Sequence, residues 1–154
     1  MKQSRYAFTM IELVFVIVVL GILAAIAVPK FAATRTDAQI AKGRSDISAV
    51  RSAIVNERQS RLIKGDTSWI NSLSSSATTL FDGNGTAATD VKLLMYGIPS
   101  GTTDGHWSTT SANYPYVNYR YKVGGKNCDF SYTSSDGKFK LNASQDSICD
   151  KLVN

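Results

Sequence analysis

The hydrophobic pattern divides the chain into three regimes. From Phe8 to Val28, 21 residues carry only Thr9 and Glu12 as polar interruptions. As a helix rising ~1.5 Å per residue, this run spans roughly 31 Å, about the thickness of a bilayer's hydrocarbon core. Beyond Pro29 the pattern becomes periodic. Ala33, Ile40, Ile47, Val50, Ile54 and Leu62 recur at spacings of three, four, seven and eight, one apolar stripe on a helix. The other faces carry Lys42, Arg44, Arg51, Arg58 and Arg61, with Glu57 and Arg61 as a stabilising i,i+4 pair. Pro29 lacks a backbone donor and clashes with the carbonyl four residues earlier, which predicts a kink. Gly65 supplies the C-terminal stop. Read continuously, Phe8 to Lys64 is a helix of roughly 85 Å, apolar all round in its first half and amphipathic in its second. The stripe is short and Gly43 interrupts it, which argues against a coiled coil.

The third regime is polar at first and then alternating. Gly65–Asp90 is dominated by Ser, Thr, Gly, Asp and Asn; within it Trp69, Ile70 and Leu73 predict one apolar turn of helix, and Leu80-Phe81 an anchor to the core. Val91–Ile98 and Tyr116–Val123 are rich in β-branched and aromatic residues and predict strands. Cys128–Thr133 and Lys138–Asn142 alternate, with Ser134–Gly137 as the hairpin turn between them. Pro99–Asn113 is predicted to be a polar loop holding His106 and Trp107. An antiparallel sheet of three or four strands must bury one face, and the stripe on the preceding helix is its natural cover. The predicted class is α+β.

Charge sharpens this picture. The 154 residues carry a formal net charge of +5, but residues 1–29 contribute +1, residues 30–64 contribute +5 and residues 65–154 contribute −1. The basic character belongs to the stem, so there is no strong case for nucleic acid as a partner of the head. Lys2 and Arg5 precede the apolar run and favour keeping that end in the cytoplasm, with everything after Pro29 outside. A secretory signal peptide is a poorer reading, because the run continues apolar through Ala24–Val28, although Ala25–Ala27 offers an A-x-A pattern. A plain single-span anchor explains the hydrophobicity but not Glu12. A carboxylate there costs roughly 2.5–3.5 kcal/mol on insertion scales, and such residues are functional with a definable partner.

Arg5-Tyr6-Ala7-Phe8-Thr9-Met10-Ile11-Glu12, followed by an apolar helix, resembles the N-terminus of type IV pilins and pseudopilins. The resemblance implies a ladle-like fold, with a long N-terminal helix packed on a small sheet. It also implies that residues 1–7 are a leader removed by a prepilin peptidase, which cuts between Ala7 and Phe8 and methylates the new amine of Phe8. Ala7 departs from the commoner Gly. Glu12 becomes the fifth residue of the processed chain, where the family keeps its glutamate. Gly21 and Pro29 match positions of helix-loosening residues. The implied organisation is a leader at 1–7, a transmembrane and assembly helix at 8–29, and a periplasmic or extracellular head at 30–154 that includes the second half of the stem. The implied partners are the membrane, the peptidase-methylase, an inner-membrane assembly platform and other pilin subunits. The precursor would sit in the inner membrane with its head in the periplasm, and would become extracellular after assembly.

The physics of Glu12 agrees with such a role. Cleavage creates an amine one helical turn from the carboxylate. In a low dielectric the carboxylate stays protonated or finds a cation, and a neighbouring subunit's Phe8 amine supplies one if the register is right. Major pseudopilins tend to carry a Leu-Pro-x-Asp-Pro-Trp-Gly-like stretch and calcium-loop acids. This chain has only Gly97-Ile-Pro99, which favours a type IV pilus or competence-type pilin, or a minor pseudopilin of a type II secretion system. The alternative from another class is a membrane-anchored adhesin or DNA-uptake receptor that never polymerises.

Remaining candidate chemistry is sparse. Cys128 and Cys149, with 20 residues between them, form a disulfide if the head faces an oxidising compartment, and the family often carries a C-terminal disulfide-bounded loop. Zinc is a poor fit to two cysteines with no histidine nearby. Asp82-Gly-Asn84-Gly-Thr86 matches a bacterial N-glycan acceptor at Asn84. The same oxygens with Asp90 offer Ca²⁺ ligation, while a plain Asp/Gly/Asn turn needs neither. Asn142-Ala-Ser144 is a weaker sequon. With His106 the single histidine and no phosphate-binding glycine motif, neither an enzyme nor a cofactor is expected.

Overall fold

A computed structural model describes residues 8–85, 91–143 and 146–154, with no side-chain description at 29, 32 and 33. The chain divides into two compact units, Met1–Asp37 and Ala38–Asn154. A single helix, α1 (Met10–Ile63), supplies the described helix of the first unit and the first element of the second. It ends as the sequence predicts: Gly65 takes φ +82°, and the Asp66 amide donates to the Arg61 carbonyl at 2.9 Å.

In the second unit the α+β prediction holds. Four strands, β3 (Trp107–Thr109), β4 (Asn118–Val123), β5 (Lys126–Thr133) and β6 (Lys138–Leu141), form an antiparallel sheet in that order. A separate pair, β1 (Thr79–Leu80) with β2 (Ile98–Pro99), is also antiparallel. A short helix, α2 (Ser147–Asp150), follows with Asp146 as its N-cap. Alternation decides which sheet face is buried: Tyr119, Tyr121 and Val123 on β4 and Cys128, Phe130 and Tyr132 on β5 point inward. Ile40, Ile47, Val50, Ala53 and Ile54 of α1 supply buried cover within the same core.

Aromatic rings fill the centre. Trp107 lies 4.9 Å from Tyr121 and 5.3 Å from both Phe81 and Phe130, centroid to centroid. Polar tips of these rings tie helix to sheet: Trp107 Nε1 donates to Asp46 at 3.0 Å, and the Tyr121 hydroxyl donates to the Gln39 carbonyl at 2.7 Å. Gly43 sits beneath them, where a Cβ would stand 2.7 Å from the Tyr121 ring and 2.8 Å from Leu152. The residue that breaks the apolar stripe in the sequence is therefore a point of close approach between helix and sheet. Leu62, by contrast, is 49% exposed, because the helix has run past the core. Ala33 is helical, but its side chain lies outside those described.

Several sequence-based strand boundaries need correction. Val91–Ile98 is not a strand; only Ile98 joins one, in β2. The run does not alternate, and the amides of Leu93 and Leu94 donate to the carbonyls of Asp82 and Phe81, hooking the segment onto a turn. Met95 and Tyr96 are left exposed there. Pro99–Asn113 is not wholly loop, since β3 pairs Trp107 with Tyr121 and Thr109 with Tyr119. β4 begins at Asn118, two residues late, after a cis Tyr114-Pro115 bond; β5 starts back at Lys126, and β6 stops at Leu141. Trp69–Leu73 forms no helix, yet Ile70 and Leu73 are fully buried. Their segment is held by side chains instead, with the Tyr132 hydroxyl donating to the Ile70 carbonyl at 2.7 Å.

Three buried tyrosines set an alkaline limit. Burial pushes the Tyr119 hydroxyl well above its ordinary range, and pushes Tyr121 and Tyr132 up from 10.0 to about 12. The folded state thus holds protons that the unfolded chain releases. Their contribution is intact below pH ~10 and is lost as pH rises toward the folded values. Base titration should show tyrosinate absorbance appearing together with loss of near-ultraviolet circular dichroism above pH ~10. Full ionisation of all seven tyrosines near pH 10 with the fold intact would contradict this burial.

Candidate functional site: the N-terminal apolar helix

The local sequence explains where α1 begins. Thr9 precedes the first helical residue, and its Oγ1 accepts from the Glu12 amide at 3.3 Å while its carbonyl accepts from the same amide at 3.1 Å. Thr-x-x-Glu is the capping-box spacing, so Thr9 satisfies an orphan donor and a glutamate fits the third helical position. Glu12 lies in the first turn of the helix. The capping signal is visible in the sequence and complements the reading of Glu12 as an assembly residue.

The segment that follows has no cover of its own. Met10–Val28 is long and apolar enough to cross a membrane, and none of it is buried within the chain. Phe8 is 78% exposed, and Ile11, Phe15, Leu20 and Leu23 are likewise open. Gly21 and Pro29 both lie inside α1. Among the described residues, nothing outside the helix's own neighbouring turns stands within 4 Å of where a Gly21 Cβ would be, so no contact among them demands a glycine. Among the described residues, Glu12 has no ion-pair partner. Ala7 and the rest of the proposed leader lie outside the described residues.

The other candidates are placed as follows. Cys128 on β5 and Cys149 on α2 are joined in a disulfide, both fully buried, and its sulfurs are therefore not thiolate ligands for a metal. The bridge fixes α2 to the sheet and is worth about 3 kcal/mol in the chain-entropy model. Asn84 donates through Nδ2 to Asn71 at 2.8 Å, while Thr86 and Asp90, on which the glycan and calcium readings depend, lie outside the described residues. The Asp82 carboxylate already accepts from both the amide and the hydroxyl of Ser75. Ser144 of the second sequon is likewise outside the described residues. His106 is exposed, with Nδ1 3.0 Å from the Thr103 hydroxyl, whereas Trp107 beside it is core.

Residues 2–28 match the family model of the prokaryotic N-terminal methylation motif. The chain carries the type IV pilin/pseudopilin signature. No curated protein and no solved structure matches it significantly. The motif marks structural pilin subunits rather than enzymes. It implies a pilin-like precursor that is processed by a prepilin peptidase and polymerises with other pilin subunits. Together with the apolar helix, it supports membrane anchoring.

Proposed function

We propose that this pilin-like chain is a structural subunit of a type IV pilus-like filament. It enters the inner membrane through residues 8–29 with its N-terminus cytoplasmic and its head, residues 30–154, periplasmic. It is cut after Ala7 and methylated at Phe8, and is then drawn into the filament by an assembly platform. The supporting observation is a fully uncovered apolar helix whose first turn carries a lone carboxylate, Glu12. Such a helix needs lipid before assembly and neighbouring helices after it. The Phe8 amine of an adjacent subunit is the counter-ion proposed for Glu12. Gly21, where no contact among the described residues demands a glycine, and Pro29 are proposed to let the helix loosen during that transfer.

Processing is tested directly. Mass spectrometry of the mature protein should show a chain starting at methylated Phe8, and Ala7→Leu should leave precursor accumulating in the membrane. A mature N-terminus at any other residue rules out the proposed processing.

A further inference from the structure

Along one flank of α1, beside its buried stripe, Arg44 and Arg51 stand seven residues apart, two turns or about 10.5 Å along the axis. Each is anchored through Nε to a main-chain carbonyl, Arg44 to that of Lys151 and Arg51 to that of Phe139 at 3.2 Å. A guanidinium held by Nε keeps its two terminal amino groups as a planar fork for a carboxylate. Among the described residues, neither arginine stands in an ion pair, nor do the nearby Lys140 and Lys151. Several acids of the head are engaged elsewhere: Asp136 with Lys138, Asp146 with Lys126, Asp46 with Lys42, and Glu57 and Asp66 with Arg61. The exposed Asp150 on α2 stands in no ion pair with either arginine among the described residues.

Two shallow grooves meet at Arg51. One, of about 300 Å³, is walled by Arg44, Ser48 and Leu152; the other, of about 320 Å³, runs between Val55 on the helix and Phe139 on β6. Val55 is 50% exposed although apolar. We infer that this groove is a docking site for an acidic peptide segment of a partner protein, seating one apolar side chain on Val55 and two carboxylates on Arg51 and Arg44. The helix spacing sets the motif. Val55 to Arg51 is about 6 Å and Arg51 to Arg44 about 10.5 Å. An extended peptide at about 3.3 Å per residue puts every second side chain on one face. The pattern apolar-x-acid-x-x-x-acid therefore keeps all three groups toward the groove at steps of about 6.6 and about 13 Å, within reach of the long arginine side chains.

Two observations favour a peptide over a nucleic acid. The groove carries an apolar floor that a phosphodiester chain does not use, and its single aromatic ring, Phe139, is buried and offers no face for base stacking. β6 is also an edge strand of its sheet. Lys138 and Lys140 on it oppose pairing with a second copy's like-charged edge, and the same charges admit an acidic chain. The groove lies wholly within Ala38–Asn154, so its test is independent of filament formation.

The experiment uses the full chain in neutral-detergent micelles and fluorescein-labelled Leu-Ser-Glu-Gly-Ser-Gly-Glu, read by fluorescence polarisation. Saturable binding is expected, weakened at least about tenfold when both glutamates of the peptide become glutamine. Arg44→Gln with Arg51→Gln, and separately Val55→Asp, should each weaken it by at least about tenfold, and Lys92→Gln should leave it unchanged. Near-ultraviolet circular dichroism verifies that the variants are folded. If the double variant is not folded, the wild-type comparison of glutamate, glutamine and lysine peptides decides alone. No saturable binding, equal binding of the glutamine peptide, or tighter binding of dodecathymidylate through the same arginines would each overturn the proposal.

Discussion

Glu12→Leu protein, expressed as the sole subunit, is expected to insert, to be cleaved at Phe8 and to accumulate normally, yet to form few or no filaments. The change removes a carboxylate that costs roughly 2.5–3.5 kcal/mol on insertion scales, so membrane entry should be unimpaired or improved. Thr9 still caps the helix, because its bond is to the residue-12 amide rather than to the side chain. What disappears is the counter-charge for a neighbour's Phe8 amine. Breaking a pair that is out of water by removing one partner costs about 3–5 kcal/mol, because the other charge is left uncompensated. Electron microscopy of sheared filaments and immunoblotting of membranes separate assembly from protein level. Normal filaments built from this variant alone would disprove the ion-pair register. Absence of filaments from wild-type protein, with ligand binding by the head retained, would instead favour an anchored receptor.

The second large effect is expected in the head. Trp107→Ala should destabilise it by about 3–5 kcal/mol, the range for removing a large buried aromatic. Trp107 has no exposed surface and packs on Phe81, Tyr121 and Phe130. Its loss leaves a cavity where these rings meet, and deprives Asp46 of a donor at 3.0 Å. Trp107→Phe should recover part of the packing but not the hydrogen bond, and so fall between the two. Urea unfolding of the full chain in micelles, followed by near-ultraviolet circular dichroism, measures both. A loss below about 1 kcal/mol for Trp107→Ala would be incompatible with Trp107 as a core residue.

Features that depend on local period and local chemistry are legible in the residues alone. Twenty-one residues with two polar interruptions define the apolar helix, and Glu12 stands out against them without any knowledge of a fold. The spacings of Ile40, Ile47, Val50 and Ile54 name the buried face of the stem, because a helix repeats every 3.6 residues regardless of what covers it. The alternation in β5 and β6 was legible for the same reason. The tight β4–β5 hairpin turns at Gly124-Gly125, both at positive φ, a two-glycine signal that is likewise local.

Tertiary structure decided the rest. Trp107 reads as loop because a run of three residues amid Gly, Ser and Thr is too short to show alternation, although Trp and Thr themselves favour strands; only pairing with β4 makes them β3. Val91–Ile98 has the composition of a strand, but its backbone bonds are claimed by the turn at Phe81–Asp82. Gly43 looks like a flaw in the stripe until the Tyr121 ring occupies the space its missing side chain leaves. Arg44 and Arg51 read as a solvated face, and only the carbonyls of Lys151 and Phe139, 107 and 88 residues away, turn them into a pair of anchored cations. In each case the deciding partner is distant in sequence, and a local pattern carries no information about which distant surface will arrive.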